Sequence, residues 1–277
     1  MKFILSLPFL IASVFLASCS NSDSENVTGS SNSTLPVKIV ALTPPDSGLS
    51  SAKLGTATIA PHPLPERFPA AAAADALVIT VGAKGLRPLD KEQISIAGLL
   101  QPSTTIVVLT DADTVGDGSA DSNFDSGAWL KEKEKEVQEV GAMFGVKGLI
   151  VATDSADAEG DFATKGWEAV LTLAGKATPR TVPARKSSDS LKAVITLPKG
   201  TESPAPHALQ SIKNGKKLDV VFPGGHSKTV FEVEATINTG TSSPAVLKLE
   251  NPIEVTAGDK FVITRMGAII GSGQISE

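Results

Sequence analysis

The sequence predicts a parallel α/β domain followed by an antiparallel β unit. Three observations carry that expectation. The run Ile106-Val107-Val108-Leu109 is apolar at every position, which suits a strand buried on both faces in the middle of a parallel sheet. Short apolar runs of this kind alternate with helical patterns as far as Pro183, the order of elements expected for a sheet covered on both sides. Beyond Ser187 the apolar period falls towards two, turn residues punctuate the runs, and no helical pattern appears, so an antiparallel sandwich or barrel is the economical solution.

Composition sets limits before any element is placed. A chain of 277 residues with 41% hydrophobic content and 18 prolines buries one large core or two modest ones, and two domains are expected. A net charge of −5 gives no electrostatic footprint for nucleic acid, which needs clustered Lys and Arg. Tyr is absent and aromatics make up 4%, so stacking platforms for bases or sugars are scarce.

The N-terminal segment reads as an address. Lys2 supplies a positive start, Phe3 to Ala17 an apolar run too short for a good spanning helix, and small residues precede Cys19. Leu16-Ala17-Ser18-Cys19 resembles the lipobox of bacterial lipoproteins, and the chain's single cysteine sits where that motif requires one. The resemblance implies a signal peptide over 1–18, a lipidated Cys19 as a membrane anchor carrying palmitate or a similar acyl chain, and an envelope location. An ordinary secretory signal with an incidental cysteine is the alternative. Ser20, where Asp often signals inner-membrane retention, favours an outer membrane if the cell has one. Residues 19–36 are Ser- and Asn-rich and read as a flexible linker.

In the first folded unit, 37–183, Val37 to Leu42 reads as a strand, followed by a loop containing Gly48 and Ser50. That is where a phosphate loop would sit, with glycines to let backbone N–H groups converge on phosphate, a Lys to neutralise it, and a Ser or Thr for magnesium. Here Thr43 holds the first glycine position and Leu49 the lysine position; Gly48 and Ser50 survive. A proline-dense stretch and the alanines 70–74 follow. Ala76 to Val81 reads as a second buried strand, Gln93 to Leu100 as a short helix, and Thr105 to Leu109 as the central strand. Ala128 to Phe144 is the best helical pattern, with Val137, Val140 and Phe144 on one face and the charge run Lys131 to Glu136 as its solvated side. Leu149 to Ala152 and Gly166 to Ala174 complete the unit as strand and helix.

In the second unit, 187–277, the strand candidates are Leu191 to Leu197, Leu218 to Phe222, Thr229 to Ile237, Val246 to Leu249 and Phe261 to Thr264. His207 and His226 lie in polar loops and read as exposed rather than catalytic.

These residues together resemble the translational GTPases, elongation factor Tu in particular. Asp75-Ala76-Leu77-Val78-Ile79 is similar to the strand after the second switch, and Gly85 to Ile94 to the family's Gly-Pro-Met-Pro-Gln-Thr-Arg-Glu-His-Ile. Leu109 to Val115 falls on the Asn-Lys-x-Asp guanine-recognition motif, Ser155-Ala156 on the Ser-Ala element that supports the base, and Trp167-Glu168-Ala169 with Leu173 on the last helix of the GTPase domain. Pro252-Ile253, Gly258, Phe261, Ile263, Gly267, Gly271 and Gly273 keep the spacing of the family's C-terminal barrel. The resemblance implies a degenerate P-loop GTPase-like domain followed by one small antiparallel β-barrel, the second barrel of the family being missing. GTP and magnesium are the ligands of an intact member.

The departures bear on chemistry. Asp113 keeps the carboxylate that would accept from guanine, but Thr110 stands at the Asn position, Asp111 at the Lys position, and Leu49 at the phosphate-loop Lys. Each lost charge-assisted contact costs about 1.5–3 kcal/mol. No Asp-x-x-Gly and catalytic His can be placed, His62 being the nearest candidate. The sequence expectation is a non-enzymatic, lipid-anchored pseudo-GTPase with vestigial nucleotide residues Gly48, Ser50, Asp113 and Ser155, an unidentified protein partner and no nucleic acid. The alternative is a divergent GTPase. A calcium loop is the third reading: counting from Asp121, Asn123, Asp125 and Glu132 fit the oxygen ligands of an EF-hand loop, with Ser126 where Gly belongs. An acidic solvated loop is the simpler account of the same residues.

Overall fold

The computed structural model describes residues 36–45, 47, 49, 54–115, 124–159, 161–199 and 209–276. Cys19, the signal and linker segments, Gly48, Ser50, Asp121, Asn123 and His207 lie outside the described residues.

A sheet of parallel strands forms the first part: β1 (Ile39–Leu42), β2 (Thr58–Ile59), β3 (Ala76–Gly82), β4 (Thr104–Thr110) and β5 (Leu149–Thr153), side by side in the order β2-β1-β3-β4-β5. Among the described residues four helices accompany them: α1 (Leu64–Ala72), α2 (Pro88–Leu100), α3 (Ser126–Met143) and α4 (Trp167–Ala174). The unbroken apolar runs are explained by the pleat, which sends successive side chains to opposite faces. Leu77, Ile79, Val107 and Leu109 pack with Phe68 of α1, Ile94 of α2 and Val137 of α3. Ala76, Val78, Ile106 and Val108 pack with Val170 and Ala174 of α4. Ile106 to Leu109 is therefore apolar throughout because each face has its own helical cover.

The helix α1 was not anticipated, since it carries Pro65 and Pro69 and a run of alanines. Packing overrides propensity here: Leu64, Phe68 and Ala71 are buried, and Pro65 sits in the first turn, where a missing N–H costs nothing. The start of α2 lies earlier than its apolar pattern suggests, at Pro88. Asp90 reaches back to the Arg87 N–H at 2.8 Å and caps the end.

The second part is a closed antiparallel barrel in the ring order β11-β6-β13-β12-β8-β9. Its strands are β6 (Lys186–Thr196), β8 (Lys216–Phe222), β9 (Gly225–Glu232), β11 (Ser242–Val255), β12 (Lys260–Arg265) and β13 (Ala268–Ile275), with β7 (Ser211–Ile212) and β10 (Ile237–Asn238) pairing beside it. Closure settles the open choice between sandwich and barrel and removes both sheet edges. His226 is an exposed residue of β9 rather than of a loop, paired with Val221. Phe222 and Phe261 pack against each other inside, their rings tilted by 42° with centroids 5.1 Å apart. Turn and bulge positions are the simplest account of the glycines in the C-terminal spacing, and the β12–β13 ladder shifts register beside Gly271. Gly258 and Gly267 have positive φ, whereas Gly271 and Gly273 lie within β13. A Cβ on Gly273 would fall 2.3 Å from Phe261 Cζ, so the ring lies over a glycine that must stay bare.

Barrel and sheet domain share a seam. Val221, Val262 and Ile269, on β8, β12 and β13, pack outward into the cluster formed by α1, α2 and α3. Lys260 Nζ donates to the Leu99 carbonyl at 2.6 Å, and Arg67 of α1 pairs with Glu92 of α2, whose carboxylate also accepts from the Ile269 N–H.

Candidate functional site

In an open parallel sheet, ligands collect outside the carboxyl ends of the strands where the strand order reverses. The chain runs from β1 to β2 on one side and then crosses to β3 on the other, so the reversal lies between β1 and β3. A cavity of about 410 Å³ is found there, lined by Pro44 and Ser47 after β1, Thr80 and Lys84 from β3 and its loop, and Thr110 and Asp111 at the end of β4. Gly82 and Gly85 also line it, and a Cβ on either would meet nothing within 4 Å, so backbone lies open to the space. The rim is fixed from outside: the Trp129 indole N–H of α3 donates to the Ala83 carbonyl at 3.1 Å, and Lys133 stands 4.6 Å from the Trp129 ring centroid.

Thr80 forms part of the floor. It is 1% exposed, and its hydroxyl finds no hydrogen-bond partner among the described residues. A buried hydroxyl left so costs about 1–3 kcal/mol, which makes it a feature of the site to be accounted for. Thr110, across the crevice, spends its own hydroxyl on the Val81 carbonyl at 3.3 Å.

Beside the crevice the loops after β4 and β5 meet. Asp111 takes a left-handed conformation, φ 58°, and leads into a short 3-10 turn, Ala112–Thr114. Asp154, the first residue after β5, accepts from the N–H groups of Asp111 at 3.2 Å and Ala112 at 3.5 Å. Burial pushes the Asp154 carboxyl above the usual carboxylate range, the two N–H donors oppose the shift, and the negative charges of Asp111 and Asp113 add to it. Because the folded value lies above the unfolded one, the stabilising contribution is fully present below about pH 4 and is lost as pH rises through the folded value. Asp154→Asn is therefore expected to melt above the unsubstituted protein at neutral pH, with the gap closing towards pH 4. Thermal scans across that range check this, and a gap indifferent to pH would show that side-chain shape, not charge, sets it.

The residues singled out from sequence divide as follows. Asp113 is exposed in the turn after β4, next to Asp154. The Ser155 hydroxyl accepts from the Asp157 N–H at 3.2 Å, and its carbonyl from the Thr153 hydroxyl. Leu49, at the lysine position, packs against the apolar cluster that includes Val170 and Ala174 of α4. His62 is exposed between β2 and α1. Asp125, a candidate calcium ligand, caps the N-terminus of α3 by accepting from Ala128 N–H at 2.8 Å, and Ser126 donates to Glu159. The structure thus brings Asp111, Asp113 and Asp154 together. Asp154 and Thr80 were missed by sequence reasoning, and position at a strand's carboxyl end was the available signal for Asp154.

No family model matches the chain, and no curated protein does. Among solved structures it is similar to translation elongation factor SelB from Methanococcus maripaludis in its apo form, with a TM-score of 0.59 and 13% identity, covering 87% of this chain and 79% of that one. At that identity the likeness is one of fold. A parallel sheet with helices followed by a closed six-stranded barrel is the fold that the chain shares with that elongation factor.

Proposed function

We propose that this chain is a non-enzymatic relative of the translational GTPases, anchored to an envelope membrane through a lipid on Cys19 and acting through its surface on a protein partner. The observation that carries the reading is Leu49. Where the family places the lysine that neutralises phosphate, this side chain joins an apolar cluster instead, and no charge replaces it at that position. A second departure points the same way: Asp154 occupies the N–H groups of the β4 loop, and three carboxylates gather where a polyphosphate ligand would be drawn nearby. The net charge of −5 and the scarcity of aromatics argue against delivery of a nucleic acid.

Calorimetry with GTP and GDP, with and without magnesium, tests the nucleotide half. No saturable heat is expected, and saturation at micromolar nucleotide sinks the reading. Exposed Asp113, adjoining the crevice, favours one rival, a divergent GTPase. That rival predicts turnover abolished by Asp113→Ala. The anchoring half is tested by labelled palmitate in the producing cell, which should enter the protein and be lost, with membrane association, in Cys19→Ala.

A further inference from the structure

We propose that the pocket between the C-terminal half of α2 and the barrel binds a medium-chain fatty acid, its alkyl chain among Leu99, Phe144, Val262 and Ile269 and its carboxylate against Lys260 and Lys147. The pocket lies at the other end of α2 from the crevice, so the inference stands apart from whether the crevice has lost its nucleotide.

The walls are mostly hydrocarbon. Leu99 of α2, Phe144 just after α3, and Val262 and Ile269 of the barrel line a space of about 230 Å³, with Ser95 and Ser272 beside them. Val262 and Ile269 are buried, but Leu99 and Phe144 are half-buried, so the protein leaves part of their apolar surface uncovered. A cavity of about 150 Å³ admits benzene, and on that scale about 230 Å³ takes roughly eight or nine carbons.

Charge at one edge selects an anion with an apolar tail. On β12, Lys260 precedes Val262 by two residues and shares its outward face, and its ammonium donates to the carbonyl of Leu99, a wall residue, at 2.6 Å. Arg180 reaches the same end of α2, donating to the Leu100 carbonyl at 3.1 Å and to the Gln101 carbonyl. The Gln101 side-chain amide donates to the Gly145 carbonyl at 2.7 Å, which ties down the loop that carries exposed Lys147. One cation is accounted for by the C-terminus of a helix, and three gather here. Among the described residues neither Lys260 nor Lys147 pairs with a carboxylate. The neighbouring carboxylates are engaged elsewhere, Asp75 with the N–H groups of Lys38 and Arg180, Asp259 with Arg185 and the Thr256 N–H. Burial lowers the Lys260 pKa, and the charges of Arg180 and Lys147 lower it further. A carboxylate placed at this edge relieves that repulsion while its chain enters the apolar pocket alongside. Glu92, further along the seam, is already paired with Arg67.

The experiment titrates the full chain with sodium octanoate, below the concentration at which it forms micelles, and reads binding heat together with thermal unfolding. Octanoate is expected to bind saturably and to raise Tm. Hexanoate, two methylenes shorter, should bind about tenfold more weakly, and acetate should give no saturable heat. Two controls of equal chain length isolate the charge: 1-octanol should bind at least about tenfold more weakly than octanoate, and octylammonium should give no saturable heat. Ser95→Leu, which fills the pocket from α2, should abolish octanoate binding in a protein that still melts cooperatively. Lys147→Glu, a change at an exposed side chain, should weaken octanoate at least about threefold and leave octanol unaffected, a split that a merely structural lysine would not produce. If Ser95→Leu does not fold, the Lys147→Glu result decides. The proposal is overturned if octanoate gives no saturable heat, if octanol or octylammonium matches it, or if either folded variant binds octanoate normally. Calorimetry with GTP bears on the crevice alone, so failure of the scaffold reading is told apart from failure of this one.

Discussion

Glu92→Ala is expected to destabilise the fold by about 3–5 kcal/mol. Arg67 and Glu92 are 4% and 8% exposed, and they face each other between α1 and α2 at the seam with the barrel. Burial lowers the Arg67 pKa and raises that of Glu92, in each case ahead of the attraction between them, so desolvation is the leading influence on both. Removing the carboxylate strands a buried guanidinium whose Nε already lacks a partner among the described residues, and it also takes the acceptor from the Ile269 N–H. Replacing both residues at once, Arg67→Met with Glu92→Leu, should return the protein to about its original stability or above it, because paired removal spares the desolvation. Urea denaturation of the two single variants and the double variant checks this. A single-variant loss of less than about 1 kcal/mol would place the pair among solvated surface bridges instead.

Phe261→Ala is the second large effect, expected at about 3–5 kcal/mol, since a fully buried ring would leave a cavity in the middle of the barrel. Its partner effect is more informative. Gly273→Ala should cost about 1–3 kcal/mol by driving a methyl group into the ring edge. In the Phe261→Ala background that clash disappears, so the double variant should lie well below the sum of the two losses. Additive losses in denaturation would mean that Gly273 is needed for the neighbouring Val194 carbonyl, 2.7 Å from the same Cβ, rather than for the ring.

The parallel sheet was legible because Ile106 to Leu109, and Ala76 to Val81 apart from Thr80, are apolar on both faces, a pattern that few environments other than a covered sheet require. The barrel was legible in outline from period and turns. What escaped depended on contacts distant in sequence. Helix α1 was hidden by its prolines, and its existence follows from Phe68 and Ala71 finding a core to enter. Strand β13 was hidden because Gly271 and Gly273 contribute no apolar period, although Leu197 and Phe261 fill the space that they leave. In the candidate site, Leu49 could be judged from position alone, since an apolar residue cannot neutralise phosphate wherever it packs. Asp154 could not, because its role arises when the loop after β5 meets the loop after β4. Thr80 gave no signal at all. A threonine in an apolar run reads as a tolerable strand residue, and its orphan hydroxyl becomes visible only when its surroundings are known.

Val221, Val262 and Ile269, barrel residues that turn outward into the helical cluster, set what kind of object this molecule is. A closed barrel with its own interior is ordinarily a transferable module. This one has part of its skin buried in its neighbour, and a protease cutting the connection near Pro183 would leave two fragments still adhering rather than two independent proteins.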